Sequence, residues 1–335
     1  MSAAAASARK ALAPILPFLG PIQDLLLDPG VTEIMVNSAE SLYCERRGVL
    51  ESCPAPVWTE RELERAIVQI ARSLDADIGL AEPLLDARLP DGSRVAAALP
   101  PISEAPVLTI RKHPAKAFTV GDLVATGTLP EEVLETARHV LAARGNILVA
   151  GSTSSGKTTL LSALLNDLEP GERYLVIEDT AEIRLEQPHT LRFTARKAAP
   201  GRPAVTIRDL VKASLRHRPD RLVVGEVRGG EAWDLIQALN TGHGGAISTI
   251  HANTAEDALM RLATCALMQE GSAAVPWVAL ASIIGAVTDL VIHVARWQGV
   301  RMVGEALRVK RYSPAGQAWE TETAWPRPAA KEEQP

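Results

Sequence analysis

The chain has 335 residues, with 35 Lys and Arg against 40 Asp and Glu, a formal net charge of −5 and a pI near 5.9. That balance excludes a protein that coats nucleic acid by bulk charge, and the length gives room for two domains around a large core. Three cysteines, Cys44, Cys53 and Cys265, form no CxxC pair, so neither a zinc site nor a disulfide framework is expected, and a reducing compartment is the simpler reading.

The opening stretch MSAAAASARKALAPILPFLGPI has an apolar run after Arg9 and Lys10, but Pro14, Pro17 and Pro21 interrupt it and no small-residue cleavage site follows. Residues 1–16 therefore read as a flexible Ala-rich lead, not a signal peptide. Residues 17–112 read as a small α+β domain. A short helix around Ile22, Leu25, Leu26 and Leu27 ends at the Asp28-Pro29-Gly30 breaker, and strands follow at 32–36 and 41–45, then an Arg47-Gly48 turn and a further short strand. Leu63, Ala66, Ile67, Ile70 and Ala71 give one apolar face to a helix over 60–74. The Leu89-Pro90-Asp91-Gly92-Ser93 turn leads to a strand at 94–98, and a strand at 107–111 closes the domain. Residues 113–122, HPAKAFTVGD, lack apolar periodicity and read as an interdomain linker.

The second domain, 123–311, starts with a helix over 130–144 and reaches the stretch NILVAGSTSSGKTTLLSALLND. Gly151, four residues, Gly156, Lys157 and Thr158 fit the phosphate-loop pattern in its required context, an apolar strand before and a helix after. Leu160, Leu161, Leu164, Leu165 and Leu168 share one face of that helix. Small residues, Ser152, Thr153, Ser154 and Ser155, let successive backbone N–H groups turn inward on phosphate oxygens, and the helix adds its positive end. In such a loop Lys157 reaches the β and γ phosphates of ATP, Thr158 ligates Mg²⁺ and Thr159 donates to the α phosphate.

Strands at 174–177, 191–194, 222–224 and 246–250 alternate with helices at 206–217 and 231–240 and with one capped by Thr254 and Asp257. Residues 275–295 include Pro276, Gly285, Asp289 and His293, so a buried helix followed by a buried strand is expected there instead of a membrane span. From Tyr312 onward the chain is rich in Pro, Glu, Thr and Ala without periodicity and reads as a mobile tail. The alternation predicts an α/β fold with a mainly parallel sheet covered on both faces.

Open α/β sheets bind ligands at the carboxyl ends of their strands. Four strands here end in polar groups suited to nucleotide chemistry: the phosphate loop, Glu178-Asp179, Glu226 and His251. Hydrolysis of a γ phosphate needs a held Mg²⁺ and an in-line water, which assigns Glu226 to Mg²⁺ through its water shell and Glu178 to the attacking water. His251 reads either as a sensor of bound ATP or as a structural residue, while Gly242, Gly244 and Gly245 point to a backbone that bends tightly or moves. Arg94, Arg111, Arg216, Arg218 and Arg228 are the arginines placed to stabilise phosphoryl charge.

With these boxes in hand, the sequence resembles the secretion ATPases of type II and type IV systems, which also drive pili. The four boxes of that family stand in order as GSTSSGKTT, VIEDTAEI, RPDRLVVGEVRGGEA and TGHGGAISTIHANTAEDALMRL. DPGVTEIMVN, RLPDGSRVAAALPPIS and LTIRK look like its N-terminal domain, and TSSGKTT and SLRHRPDRLVVGEVRG bring the chain closest to the TrbB-type ATPases of conjugative transfer. The resemblance implies a RecA-like P-loop domain preceded by the smaller α+β domain. It further implies a homohexamer, cytoplasmic and peripheral to the inner membrane, working with inner-membrane components of a type IV machine; direct contact with DNA stays open. ATP would bind between the two domains, with Arg94 and Arg111 helping to complete the site, Glu178 catalytic, Glu226 the Walker B acid and His251 a γ-phosphate contact. Ser152 stands where a second glycine is frequent, and the four-cysteine zinc insert of type II ATPases is absent. A pilus assembly or retraction motor, a nucleotide-binding scaffold without turnover and a recombinase-like DNA motor are the rival readings.

Overall fold

The computed structural model describes residues 9–326 except 47, 55–57, 113–116, 197, 199–200, 270–274 and 298–299. Two compact units result, 1–116 and 117–335. Arg47 of the expected turn, residues 113–116 of the expected linker, the first eight residues and the last nine lie outside the described residues.

In the first unit, a short helix α1 (Gln23–Leu27) precedes three strands, β1 (Val31–Ser38), β2 (Ser41–Arg46) and β3 (Val49–Cys53). Helix α2 (Glu60–Ser73) follows, then β4 (Leu84–Arg88), β5 (Arg94–Ala98) and β6 (Val107–Arg111). The sheet order is β3-β2-β1-β6-β5-β4, antiparallel throughout. Alternation along these strands sends Ile34, Val36, Leu42, Cys44, Val95, Leu108 and Ile110 to one face, where Leu63, Ile67 and Ile70 of α2 cover them. A capping box between Thr59 and Glu62 starts α2 by satisfying N–H groups that the first turn leaves open. The lead is not loose where it is described: Leu12, Ile15 and Leu16 are buried in this same core, because their apolar side chains lose more by staying in water than the backbone loses by ordering.

The second unit begins inside the expected linker, where Thr119 and Asp122 form a capping box for α3 (Val120–Ala125). Helix α4 (Glu131–Ala142), β7 (Ile147–Gly151), α5 (Lys157–Asn166), β8 (Tyr174–Glu178), β9 (Thr190–Thr194), α6 (Ile207–Ser214) and β10 (Arg221–Val227) come next. They are followed by α7 (Glu231–Asn240), β11 (Ile247–Ile250), α8 (Ala255–Leu267), α9 (Trp277–Val287), β12 (Leu290–Trp297), β13 (Val300–Ser313) and β14 (Ala318–Trp325). The eight strands run in the order β14-β13-β12-β7-β11-β10-β8-β9. Six are parallel, and β13 and β14 add an antiparallel edge. Strands buried on both faces need apolar residues at every position, which is why β7 and β8 read ILVAG and YLVIE with each residue buried. The tail expected to be mobile from Tyr312 is instead β14 through Trp325. Trp319 packs edge-on against Trp277 and Tyr312, and Arg311 pairs with Glu320. Among the described residues no helix is long and apolar enough to cross a membrane, and 275–295 forms α9 and β12.

Candidate nucleotide site

Strand β7 ends at Gly151, where a Cβ would stand 2.2 Å from the carbonyl oxygen of Val294, so only glycine lets β7 and β12 approach this closely. Gly156 takes the left-handed conformation, φ 105°, and serves as N-cap of α5. The loop between them closes on its own lysine: Lys157, 8% exposed, donates from Nζ to the carbonyl oxygens of Gly151 at 2.9 Å and Ser152 at 2.8 Å. Ser152 occupies the frequent-glycine position without positive φ; Ser154 carries that conformation instead, φ 58°. Ser155 Oγ is buried and has no hydrogen-bond partner. An orphaned hydroxyl and an enclosed ammonium at a helix N-terminus fit a phosphate group that would engage both. Thr158 and Thr159 lie half-buried in the first turn of α5.

The parallel sheet delivers the acids to the same edge. Glu178, the last residue of β8, is 3% exposed, and its Oε1 accepts the backbone N–H groups of Glu182 at 2.7 Å and Ile183 at 2.8 Å. Burial pushes its pKa up to about 7, opposed by those two N–H groups and by Arg192. Gly225 of β10 leaves room for it, since a Cβ there would lie 2.9 Å from Glu178 Cγ.

Pairing of β10 with β11 is irregular between Val224 and Val227, at Gly225 and Glu226, which is how a bulge re-aims a side chain at a strand end. Glu226 Oε2 accepts from Arg228 Nε at 2.9 Å, whereas Oε1 is buried without a hydrogen bond and lies 3.7 Å from His251 Nε2. His251, just beyond β11, also meets Thr153 Oγ1 at 3.3 Å. Its pKa is lowered, first by burial and then by the charge of Lys157, so the imidazole is neutral at pH 7.5. Gly242 and Gly245 have φ of 101° and 84°, the tight bends expected of this box.

Phosphate loop, Glu178, Glu226 and His251 thus share one edge of the second unit. Arg94 and Arg111 sit in the first unit as direct cross-strand partners on β5 and β6, and Arg94 also pairs with Asp86. Arg216 and Arg218 lie at the other end of β10, before its first residue, whereas Arg228 follows its last and joins Glu226 to Asp179, at 2.9 Å from Asp179 Oδ2. Two arginines that sequence reasoning passed over also belong here. Arg301 of β13 donates from Nε to the carbonyl oxygen of Ser154 at 3.0 Å, and Arg192 of β9 stands behind Glu178. Neither carries a motif, and only the strand pairing brings them in.

Among the described residues no cluster of three or more His, Cys, Asp or Glu is arranged as a protein-only metal cage. Glu226 Oε1, buried without a hydrogen bond, is an oxygen with the chemistry of a cation ligand, and Thr158 carries a hydroxyl in the first turn of α5.

A parallel sheet in which one strand, β11, separates the phosphate-loop strand β7 from the Glu226 strand β10, with both acids at the carboxyl ends of their strands, defines a RecA-like phosphate-loop domain. A family model described as "Type II/IV secretion system protein" matches residues 18–317, and the chain belongs to that family. It is 34% identical over 290 residues to a probable conjugal transfer protein TrbB of Sinorhizobium fredii, covering 85% of each chain. It is 35% identical to the type IV secretion system protein PtlH of Bordetella pertussis, covering 80% of this chain and 86% of the relative. The crystal structure of the ATPase DotB of Legionella pneumophila, 22% identical, matches the fold with a TM-score of 0.61 over 88% of this chain and 81% of that one.

Proposed function

We propose that this chain is a Mg²⁺-dependent ATPase that powers conjugative DNA transfer or type IV secretion. In this reading it acts as a homohexamer held peripherally at the cytoplasmic face of the inner membrane, alongside membrane components of that machine. One observation carries the reading: an enclosed phosphate-loop lysine, a buried carboxyl with a pKa of about 7 and a second carboxylate with an oxygen that makes no hydrogen bond lie at or just beyond the carboxyl ends of parallel strands of one sheet. The conjugal transfer and type IV secretion relatives support the transport role, and the DotB ATPase supports the fold on which it would rest.

The loop residues Gly151 to Thr159 bind and orient the phosphates, with Lys157 exchanging its carbonyl partners for phosphate oxygens. Mg²⁺, when bound, supplies Lewis-acid polarisation of the phosphoryl group. Thr158 and Glu226 would hold it. Glu178 orients the attacking water and accepts its proton at Oε2, the oxygen its backbone donors leave open. Neutral His251 donates to the γ phosphate.

The test is nucleotide binding and phosphate release by Glu178→Gln and Glu226→Gln. Both should bind a fluorescent ATP analogue and release phosphate at least ~100-fold more slowly than the unmodified chain. Turnover unchanged by either substitution would refute the assignment.

A further inference from the structure

We propose that Arg192 is the positioning residue of Glu178. It reaches from β9 to brace the turn that holds the Glu178 carboxyl and to set a fixed positive charge behind it. Strands β8 and β9 are parallel, with Val176 opposite Arg192 and Glu178 opposite Thr194, so Arg192 starts two residues below the acid and its side chain rises beside it. The guanidinium donates from Nη1 to the carbonyl oxygen of Ile183 at 2.9 Å and from Nη2 to that of Leu185 at 3.0 Å. Nη1 lies 3.9 Å from Glu178 Oε2.

These contacts form a closed chain of dependence. The N–H groups of Glu182 and Ile183 hold Oε1 of Glu178, and the next carbonyls along the same turn are held by Arg192. The planar fork of arginine spans two carbonyl acceptors at fixed separation, a geometry that a lysine ammonium cannot reproduce. Charged groups acting on Glu178 are Arg192 from β9 and Glu182 from the turn itself, while β10 presents the uncharged Gly225. Of these, only Arg192 favours the ionised acid. Its charge joins the two backbone N–H groups in opposing the burial that raises the carboxyl to about 7, and so increases the share of Glu178 ready to accept a proton at neutral pH.

The proposal rests on the ATPase reading for its kinetic readout alone, and a measurement without nucleotide tests it independently. Thermal midpoints are followed from pH 5 to pH 9 for the full chain, Arg192→Gln, Arg192→Lys, Glu178→Gln and the Arg192→Gln/Glu178→Gln double variant. The part of the pH dependence that Glu178→Gln abolishes should move up by about half a pH unit or more in Arg192→Gln, and stay near its original place in Arg192→Lys. In phosphate release, Arg192→Gln should lower kcat by about tenfold at pH 7, a severalfold loss from the missing fork multiplied by about twofold from the shifted titration, and by the severalfold part alone at pH 9, with KM for ATP within about threefold. Arg192→Lys, which keeps the charge and loses the fork, should lower kcat severalfold at every pH.

A Glu178-dependent transition at the same pH with and without Arg192 would overturn the proposal, as would a kcat loss in Arg192→Gln that is uniform across pH. An acidic limb displaced in Arg192→Lys would do the same, and that variant decides the matter should Arg192→Gln not fold. Absence of phosphate release by the unmodified chain would count against the ATPase reading and leave the midpoint series to decide the role of Arg192.

Discussion

Nε2 of His251 stands 3.7 Å from Oε1 of Glu226, joining the ends of β11 and β10 beside the phosphate loop. The imidazole is nearly half exposed and its pKa is lowered, so at pH 7.5 this is a neutral ring next to a carboxylate and not a salt bridge. A neutral donor lost from a γ-phosphate contact should cost turnover more than binding. His251→Ala is expected to reduce kcat by ~10-fold to 100-fold with little change in ATP affinity, measured by phosphate release and by titration with a fluorescent analogue.

Glu226 and Arg228 should move the Mg²⁺ requirement in opposite directions. Arg228 neutralises the oxygen of Glu226 that is already paired, and so competes with any cation for that carboxylate. Glu226→Gln should raise the Mg²⁺ concentration for half-maximal phosphate release by severalfold, and Arg228→Gln should lower it. A shift in the same direction for both would contradict the placement of Mg²⁺ beside Glu226.

The buried Glu178 gives a stability prediction with a definite sign. Its carboxyl has an ordinary pKa near 4.5 and one of about 7 in the folded chain, so the folded state binds the extra proton between these values. The stability this group contributes is fully present below about pH 4.5 and is lost as pH rises through 7, by ~3 kcal/mol over the whole window. Glu178→Gln keeps an acceptor for the two backbone N–H groups and cannot ionise. Its stability relative to the unmodified chain should therefore rise between pH 4.5 and pH 8, read by denaturant unfolding at each pH.

Gly151→Ala tests the closeness of β7 and β12. The new methyl carbon would meet the Val294 carbonyl oxygen at 2.2 Å, a backbone atom that cannot rotate aside. A loss of ~1–3 kcal/mol in unfolding free energy is expected, together with loss of nucleotide binding, because the strand separation sets the mouth of the loop.

Much of this architecture is legible in the sequence because its signals are local. The phosphate loop, the capped helices and the apolar runs of β7, β8 and β10 each declare themselves within a dozen residues. What stays hidden depends on pairing across the chain. Strand β14 looks like part of a mobile tail until Arg311 faces Glu320, Lys310 faces Glu322 and Trp319 closes on Trp277, contacts that composition does not encode. Cys44 and Cys53 are nine residues apart with no motif, yet their sulfurs stand 3.1 Å from each other as free thiols, because the register of β2 and β3 makes them diagonal neighbours. In the same way Arg192 is an unremarked strand residue in the sequence, and the parallel register with β8 alone places it behind Glu178.

The central claim, that Lys157 and its loop make a motor's ATPase site, is tested most directly by steady-state phosphate release with Mg-ATP for the full chain and for Lys157→Ala, the mass of each followed by light scattering. The account predicts hydrolysis by a six-fold assembly in the unmodified chain, and in Lys157→Ala the same assembly with release reduced by ~100-fold or more. Equal hydrolysis by the two chains would contradict it, as would a nucleotide-binding monomer that releases no phosphate.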